Sequence, residues 1–389
     1  MTRLSENWIT DPDTQAVLDI FRAAGFAIYF VGGSVRNTLA GEPVDDIDLA
    51  TDAHPEDMLR IAAEAGIRAL PTGADHGTVT ILSGDRSFEV TTFRKDVETD
   101  GRHAKVAFSN RLDEDAQRRD FTINALYADP SGQVIDPVGG QADLAVGRVR
   151  FIGDARERIQ EDFLRSLRFF RFYAAYGHPA EGPDRDALAA IAANLDGLRR
   201  LSAERVGSEM RKLLSTKDPA PAVSAMAQTG VLATLLPGAN PAPLAPLVAA
   251  EQGSGTAPHD LRRLAAVASD AEAGQRLRFS RKDQKTLSDI RDGAAGMQSP
   301  AVLGYRFGPD GARDILLVRA ASLQVPIEPA DLAAADRAAK QHFPVRADDL
   351  MPTYQGAALG KRLDQLEEQW IASGFTLSKE ELLAFAAKA

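Results

Sequence analysis

Hydrophobic and polar positions follow a mixed period over roughly the first 150 residues of the chain. The apolar run FAIYFV (26–31), which ends in two glycines, predicts a buried strand that enters a turn. VDDIDLAT (44–51) alternates polar with apolar residues, as a strand with one solvated face does. HPEDMLRIAAEAG (54–66) predicts an amphipathic helix, and GTVTILSGDRSFEVTTFR (77–94) predicts a β-hairpin. This region therefore combines strands with helices.

From about residue 155 the apolar positions follow a helical period. EDFLRSLRFFRFYAAYG (161–177) and AERVGSEMRKLLS (203–215) are examples, and the chain stays rich in Ala and Leu to its C-terminus. The stretches PGANPAPLAP (237–246) and QGSGTAPHD (252–260) predict loops or linkers. The pattern predicts an α+β fold, in which an α/β head precedes an all-α remainder.

Composition narrows the class of protein. With 389 residues the chain is too long for one compact core, and its 44% hydrophobic and 26% charged residues are ordinary for a globular protein. It has no cysteine, which excludes disulfides and thiolate metal sites. No signal peptide or membrane span is recognisable, so we expect a cytoplasmic protein. The net charge of -10 argues against binding nucleic acid over the whole surface but leaves room for local basic clusters.

Two aspartates in VDDIDLAT are candidate metal ligands. Asp46 and Asp48 are separated by two positions, so in a strand they project to the same side and their oxygens can share hard divalent cations. Glu89, in the strand FEVTTF, is the candidate third carboxylate; Asp45 is the alternative, although its side chain should face the opposite side. Two metal ions held in this way suit phosphoryl transfer. An isolated pair of this spacing is more often a solvated strand end, which remains the alternative.

The residues just upstream favour the functional interpretation. Gly32 and Gly33 permit a close backbone approach, and Ser34, with the first amides of a helix running to Gly41, forms an anion-binding turn. Arg36, one turn into that helix, adds a cation for phosphate.

The motifs GGSVRNTLAG and DDIDLAT resemble the signature of the template-independent tRNA nucleotidyltransferases and bacterial poly(A) polymerases, which belong to the polymerase-β-type nucleotidyltransferase superfamily. RRDFTINALYAD (118–129) and DPVGGQADLAVGRVRFIGD (136–154) resemble its next blocks. The family pattern has Asp where this chain has Asn37. The resemblance implies a mixed-sheet catalytic head followed by an all-α neck, body and tail. We place these at residues 1–150, 151–215 and 216–389, the neck reading the base and the last part binding tRNA.

The resemblance also implies roles for particular residues. Arg119 would bind the nucleotide, beside a helix FTINALY capped by Asp120 or Thr122, whereas Arg118 is as well explained by an exposed position.

The helix EDFLRSLRFFR (161–171) would read the base. The Asp162 carboxylate accepts from the exocyclic amino group of cytosine or adenine, and Arg165 donates to the ring nitrogen, which excludes guanine and uracil. Arg168 and Arg171 would position phosphates or the pairing residues. Surface ion pairing, Glu161 with Arg165, is the alternative.

Three further segments have weaker signals. RLSAERVGSEMRKLL (200–214) resembles a family block that we interpret as a structural brace, and RKDVETDGRHAKV (94–106) is either a specificity loop or an ordinary hairpin loop. In RLRFSRKDQK (276–285), Ser280 and Asp283 predict a capping pair that presents basic residues either to the tRNA backbone or to solvent. His259 and Asp260 do not suffice for a phosphohydrolase site.

The expected function is template-independent addition of CMP and AMP to the 3′ end of tRNA. CTP and ATP are the substrates, two Mg²⁺ ions assist, and pyrophosphate is released. The partners are tRNA, CTP and ATP, with no membrane and no protein partner that the sequence identifies. Alternatives are a relative that adds only A, only CC or a poly(A) tail, a non-catalytic RNA-binding relative, and a small-molecule nucleotidyltransferase.

Overall fold

The computed structural model describes residues 2–98 and 105–387 and forms two compact units, Met1–Pro237 and Gly238–Ala389. The predicted division at residues 150 and 215 is not tested by these units and stays a prediction. The central part of the predicted loop 94–106, residues 99–104, lies outside the described residues.

The first unit contains a mixed sheet. Its strands, in chain order, are β1 Ile28–Val31, β2 Asp48–Thr51, β3 Arg68–Gly73, β4 Thr78–Ser83, β5 Arg86–Thr92, β8 Tyr127–Ala128 and β9 Val134–Ile135, with β6 Arg94–Glu98 and β7 Lys105–Phe108 forming a separate pair. The sheet order is β3-β4-β5-β2-β1-β8-β9, and β2 runs parallel to β5 while the other neighbours are antiparallel. The predicted mixed sheet is confirmed.

Helices surround the sheet and continue after it. Those of the first unit are α1 Asn7–Thr10, α2 Pro12–Ala23, α3 Gly33–Ala40, α4 Pro55–Glu64, α5 Leu112–Gln117, α6 Gly140–Val146, α7 Ala155–Glu161, α8 Leu164–Tyr176, α9 Arg185–Ala192, α10 Leu195–Leu198, α11 Ala203–Leu214, α12 Ala220–Gln228 and α13 Val231–Leu235.

The alternation of side chains in β2 gives the sheet two different faces. Leu49 joins a large core with Phe30 and Val90, whereas Ala50 joins a smaller core with Tyr127 on the other face. Because neighbouring strand residues point to opposite faces, Asp48 shares the face of Ala50.

Three local predictions in this unit are wrong. FTINALY is not a helix: a 3₁₀ turn over Thr122–Asn124 precedes β8, because pairing of Tyr127 with Val31 of β1 satisfies the backbone instead. The segment 161–171 is not one helix, since α7 ends at Glu161 and α8 begins at Leu164. Residue 46 precedes β2 and is not part of that strand.

The second unit is helical, as predicted. Its helices are α14 Leu244–Gly253, α15 Asp260–Val267, α16 Ala273–Arg276, α17 Arg281–Ala295, α18 Pro300–Leu323, α19 Pro329–Ala338, α20 Ala347–Leu350, α21 Gly356–Ala372 and α22 Lys379–Ala387.

A network of buried charges lies in the second unit. Glu251 accepts hydrogen bonds from Arg262 and Arg263, and Arg262 also donates to Asp314, at 2.6 Å. His259 bonds Asp314 at 2.8 Å, and that hydrogen bond raises the pKa of the imidazole. His259 therefore belongs to a structural charge network. Along the described stretches of the chain, every helix is too short or too polar to cross a membrane.

Candidate nucleotide-binding and catalytic site

The turn between β1 and α3 brings the backbone of two glycines to the site. Gly32 has φ +67° and ψ −113°, a conformation that glycine adopts without the strain of a side chain. A Cβ at this position would lie 3.6 Å from an Arg119 guanidinium nitrogen. Helix α3 starts at Gly33, so Ser34 is its second residue. The first amides of α3 lack intrahelical partners, which makes this turn suitable for an anion.

Arg36 is buried between the head and helix α8. Its guanidinium donates to Asn124 Oδ1 at 2.5 Å and lies 4.5 Å from the ring centre of Tyr176 and 5.1 Å from that of Phe172. Burial is the main influence on this group and lowers the pKa of Arg36 from its ordinary value. An anion that enters the site would offset this cost of burial.

Asn37 occupies the position at which the family pattern has Asp. Both the oxygen and the nitrogen of its side-chain amide form hydrogen bonds. Its Oδ1 accepts from the Arg36 guanidinium at 2.8 Å and from the Tyr176 hydroxyl at 2.7 Å. Its Nδ2 donates to the carbonyl oxygen of Pro43 at 2.7 Å, a bond that an ionised Asp could not make. The departure from the family pattern therefore ties Arg36 to the loop that leads to Asp46 and Asp48.

Asp48 opens β2 and lies beside Glu89 of β5, with which it is in register. Burial is the largest cause that raises the pKa of Asp48, followed by the charge of Glu89; Asp46 adds to the effect and Arg119 opposes it. Asp46 and Glu89 are exposed. A carboxylate that is partly buried and next to other carboxylates is suited to a divalent cation.

The predicted metal ligands Asp46, Asp48 and Glu89 do not form a cluster of three in the described part of the chain. Within residues 2–98 and 105–387, no three His, Asp or Glu side chains are arranged to hold a metal ion. The place of Glu89 as a third ligand stays a prediction, while the chemistry of Asp46 and Asp48 fits the predicted cation.

Arg119 lies close to the glycine turn. Its guanidinium donates to Asp115 at 2.9 Å and to the Tyr127 hydroxyl at 3.0 Å. Burial lowers the pKa of Arg119, but the interactions with Tyr127 and Asp115 outweigh it and the net shift is upward. Arg119 therefore stays positively charged beside Gly32. Arg118 is partly buried, with 19% of its side chain exposed, so of its two alternatives the exposed position does not hold, and a functional role stays a prediction.

Asp120 links the head to α8 and does not cap a helix. Its Oδ1 accepts from Phe121 N and Asn124 Nδ2, each at 2.9 Å, and its Oδ2 accepts from Arg168 Nε at 2.7 Å. Thr122 donates to Asp143 at 2.6 Å. The cap predicted for either residue is wrong because the helix itself does not form.

Asp162 lies between α7 and α8, in an extended conformation with φ −152° and ψ 106°. Its Oδ1 accepts from Leu164 N at 3.1 Å, a local bond that competes with helix continuation. Its Oδ2 accepts from Arg205 at 2.7 Å. Arg165 bonds Glu161, so the ion pair of the alternative interpretation exists, and it also donates to the carbonyl oxygen of Arg158 at 3.0 Å.

A cavity of about 380 Å³ collects most of these groups. Six arginines and three aspartates line it, so its formal charge is +3. The lining residues are Gly32, Gly33, Arg36, Asp48, Arg118, Arg119, Asp120, Asn124, Asp162, Leu164, Arg165, Arg168, Phe172 and Arg205. The positive charge of the lining favours binding of a polyphosphate. Because the cavity extends from the glycine turn to Asp162, it can hold a base as well as the phosphates.

Four predicted site residues are not part of the cavity lining: Ser34, Asp46, Glu89 and Arg171. Ser34 is buried, and its Oγ finds no hydrogen-bond partner within the described residues. Arg171 donates to Glu209 at 2.6 Å.

Arg205 lines the cavity, although the sequence analysis assigned its segment, residues 200–214, a structural role. Its spacing of four residues from Glu209 would place both on one helix face, but opposite charges at that spacing ordinarily suggest a pair with each other.

Family models match two parts of the chain. Residues 28–150 match "Poly A polymerase head domain", and residues 183–242 match "Probable RNA and SrmB- binding site of polymerase A".

Whole proteins and solved structures agree with these matches. The chain is 33% identical to a CCA tRNA nucleotidyltransferase 1, mitochondrial, of Mus musculus, over 96% of this chain and 89% of that protein. It is 46% identical to a CCA-adding enzyme of Streptococcus sanguinis, over 51% of this chain and 48% of that protein. The CCA-adding enzyme of Bacillus stearothermophilus in complex with CTP superposes with a TM-score of 0.79 at 27% identity, covering 99% of this chain and 98% of the other.

Proposed function

The chain belongs to the family of CCA-adding tRNA nucleotidyltransferases, and from that premise we propose how its cavity adds CMP and AMP to the 3′ end of tRNA. CTP and ATP are the nucleotide substrates, and tRNA is the acceptor. A cytoplasmic location stays a prediction, because relatives include mitochondrial and bacterial proteins.

The triphosphate binds at the glycine turn. The amides at the start of α3 and the guanidinium groups of Arg36 and Arg119 are donors directed at one end of the cavity, whose formal charge is +3. These groups are held before substrate arrives, by Asn37, Asn124 and Asp115. Binding therefore requires little reorganisation of the protein.

Asp46 and Asp48 would hold divalent cations, which this family of enzymes generally requires, and we propose Mg²⁺ in a two-metal arrangement. Ions bound there polarise the phosphoryl oxygens and favour ionisation of the attacking hydroxyl. The support is the raised pKa of Asp48, caused first by burial and then by Glu89, because a bound cation would remove this unfavourable interaction.

The reaction is an in-line displacement at the α-phosphorus. The 3′ oxygen of tRNA forms a bond to the α-phosphorus of CTP or ATP, and the bond from that phosphorus to the bridging oxygen of the β-phosphate breaks. Pyrophosphate leaves with the electron pair of that bond, and the 3′ hydroxyl proton passes to solvent. Arg36 and Arg119 stabilise the negative charge that accumulates on the phosphoryl oxygens.

Base selection takes place at the other end of the cavity. Asp162 accepts from the amino group of cytosine or adenine, and Arg165 donates to the neighbouring ring nitrogen. Uracil and guanine would place a carbonyl oxygen against the Asp162 carboxylate, which is repulsive. The single observation that carries this proposal is the lining of one cavity by Gly33, Asp48 and Asp162 together.

An incorporation assay tests the proposal with three acceptors: tRNA lacking CCA, tRNA ending in CC, and unstructured RNA. We expect addition of CCA to the first and A to the second, with no tail on the third. Asp46→Ala and Asp48→Ala should reduce incorporation by about 10³-fold while tRNA binding persists.

Asp45→Ala is the matched control, since Asp45 is an exposed neighbour of the same charge. It should leave incorporation near the wild-type rate. Activity that survives in Asp48→Ala would show that the proposed metal ligands are incorrect.

A further inference from the structure

The Asp162 carboxylate is held from two directions. Leu164 N donates to its Oδ1 at 3.1 Å, within the same segment of chain, and the Arg205 guanidinium donates to its Oδ2 at 2.7 Å from helix α11. Arg205 lies 43 residues further along the chain and itself lines the cavity. The carboxylate is therefore fixed by a group that itself lines the cavity.

Helix α11 supports the base-reading region with two side chains on one face. Arg205 and Glu209 are four residues apart, so they lie on adjacent turns. Arg205 bonds Asp162, whereas Glu209 accepts from Arg171 at 2.6 Å and lies 4.0 Å from Arg168. The segment interpreted from sequence as a brace thus contacts Asp162, Arg168 and Arg171.

We propose that Arg205 is a positioning residue that sets nucleotide selectivity by fixing the orientation of Asp162. The inference rests on the proposed base-reading role of Asp162. An ionised carboxylate has about four acceptor positions, of which the bonds from Leu164 and Arg205 occupy two. One lone pair on each oxygen remains for the amino group of cytosine or adenine.

Selectivity requires that the carboxylate cannot turn away from the wrong base. A single bond from Leu164 would leave the carboxylate free to rotate, and a rotated carboxylate no longer opposes the carbonyl oxygen of uracil or guanine. The second bond, from Arg205, removes this freedom. Arg205 also places a positive charge beside Asp162, which offsets the cost of keeping that charge in a partly closed cavity.

The test measures kcat/KM for CTP, UTP, ATP and GTP on tRNA acceptors with Arg205→Met. The preference for CTP over UTP and for ATP over GTP should each fall about tenfold, the discrimination that one oriented hydrogen bond supplies. Arg205→Lys should restore most of both preferences, because only one guanidinium nitrogen contacts Asp162 and an ammonium can replace it. Arg205→Gln is the second uncharged variant if Arg205→Met does not fold.

Two controls separate selectivity from general damage. Arg199→Gln removes an arginine from an exposed ion pair with Asp196, 3.6 Å apart, and should leave both preferences unchanged. In an Asp162→Asn background, Arg205→Met should produce no further loss of preference, because the two residues act through one bond.

Two results would overturn the inference alone: an equal loss for all four nucleotides in Arg205→Met, or an Arg205→Lys variant as unselective as Arg205→Met. If Asp162→Asn kept the wild-type preferences, the base-reading role of Asp162 would fail, and the inference about Arg205 with it.

Discussion

Asp48 occupies a position in which its own negative charge is unfavourable. Burial, and after it the neighbouring Glu89, raise the pKa of Asp48 above its ordinary value. An acid whose pKa is raised by folding lowers the stability of the folded state at pH values above that pKa. The ionised Asp48 therefore lowers the free energy of unfolding of the metal-free protein, and binding of a cation would raise it again.

Asp48→Asn should therefore make the metal-free protein more stable at neutral pH. We expect the Tm to rise by about 2 °C relative to wild type, measured by calorimetry without divalent ions. The difference should shrink as the pH falls through the raised pKa of Asp48 and vanish well below 3.8, the ordinary value, because the wild-type carboxyl is then protonated in both the folded and the unfolded state. Added Mg²⁺ should raise the Tm of wild type but not of the variant.

Asp45→Asn is the control for this measurement, since Asp45 is an exposed aspartate three residues before Asp48. It should leave both the pH profile and the response to Mg²⁺ at wild-type values. A lower Tm for Asp48→Asn at neutral pH would contradict the electrostatic explanation.

At the scale of elements, the backbone conformation of the β1–α3 turn determines how the proposed triphosphate site is shaped. Gly32 precedes α3 and Gly41 ends it, and both have positive φ, at +67° and +70°. The surroundings differ: a Cβ on Gly32 would lie 3.6 Å from Arg119 and 3.8 Å from the carbonyl oxygen of Asn124, whereas Gly41 has no neighbour within 4 Å. Substitution by Ala therefore imposes backbone strain at both ends of α3, but only the Cβ at residue 32 would contact residues that line the cavity.

Gly32→Ala should raise the KM for CTP and ATP about tenfold and lower stability by about 1–3 kcal/mol, because a side chain at this positive φ strains the turn that presents the first amides of α3. Gly41→Ala should cost about 1 kcal/mol and leave both KM values near wild type. Steady-state kinetics and urea unfolding of the two variants measure these effects. Equal KM changes in both would show that the turn acts only through stability.

At the scale of the whole molecule, the chain combines a net charge of -10 with an anionic partner, tRNA. Binding must therefore rely on local positive charge. In the second unit, α17 begins as predicted, with Ser280 Oγ accepting from Asp283 N at 3.1 Å. Arg281 and Lys282 are exposed in the first turn of this helix, whereas Lys285 bonds Asp289 at 2.7 Å. Of the two alternatives, contact with the tRNA backbone and exposure to solvent alone, the first is the one that the following experiment tests for Arg281 and Lys282.

The double variant Arg281→Ala/Lys282→Ala should weaken tRNA binding and reduce the slope of log K against log salt by about 2, one unit for each lost phosphate contact. The KM for CTP should not change. Lys340→Ala/Lys361→Ala changes the net charge equally at other exposed positions of the second unit and is the control. An equal effect of both variants would indicate a general charge effect and exclude a specific contact.

The amino-acid sequence alone determined the features that depend on local spacing. The glycine turn, Asp46 and Asp48 two positions apart, Arg36 one turn into α3, and the change to a helical period near residue 155 follow from backbone geometry within a few residues. The resemblance to known motifs then indicated Arg119, Asp162, Arg165 and Arg168, all of which line the cavity.

Tertiary structure alone decided the partners of these residues. Arg205 bonds Asp162 across 43 residues, Arg168 bonds Asp120 across 48, and Tyr127 joins the sheet beside Val31 in place of a helix. Periodicity shows which face of an element is apolar. A hydrogen bond between residues distant in sequence forms only when packing brings them together. Burial then favours that bond, because a buried polar group without a partner is costly.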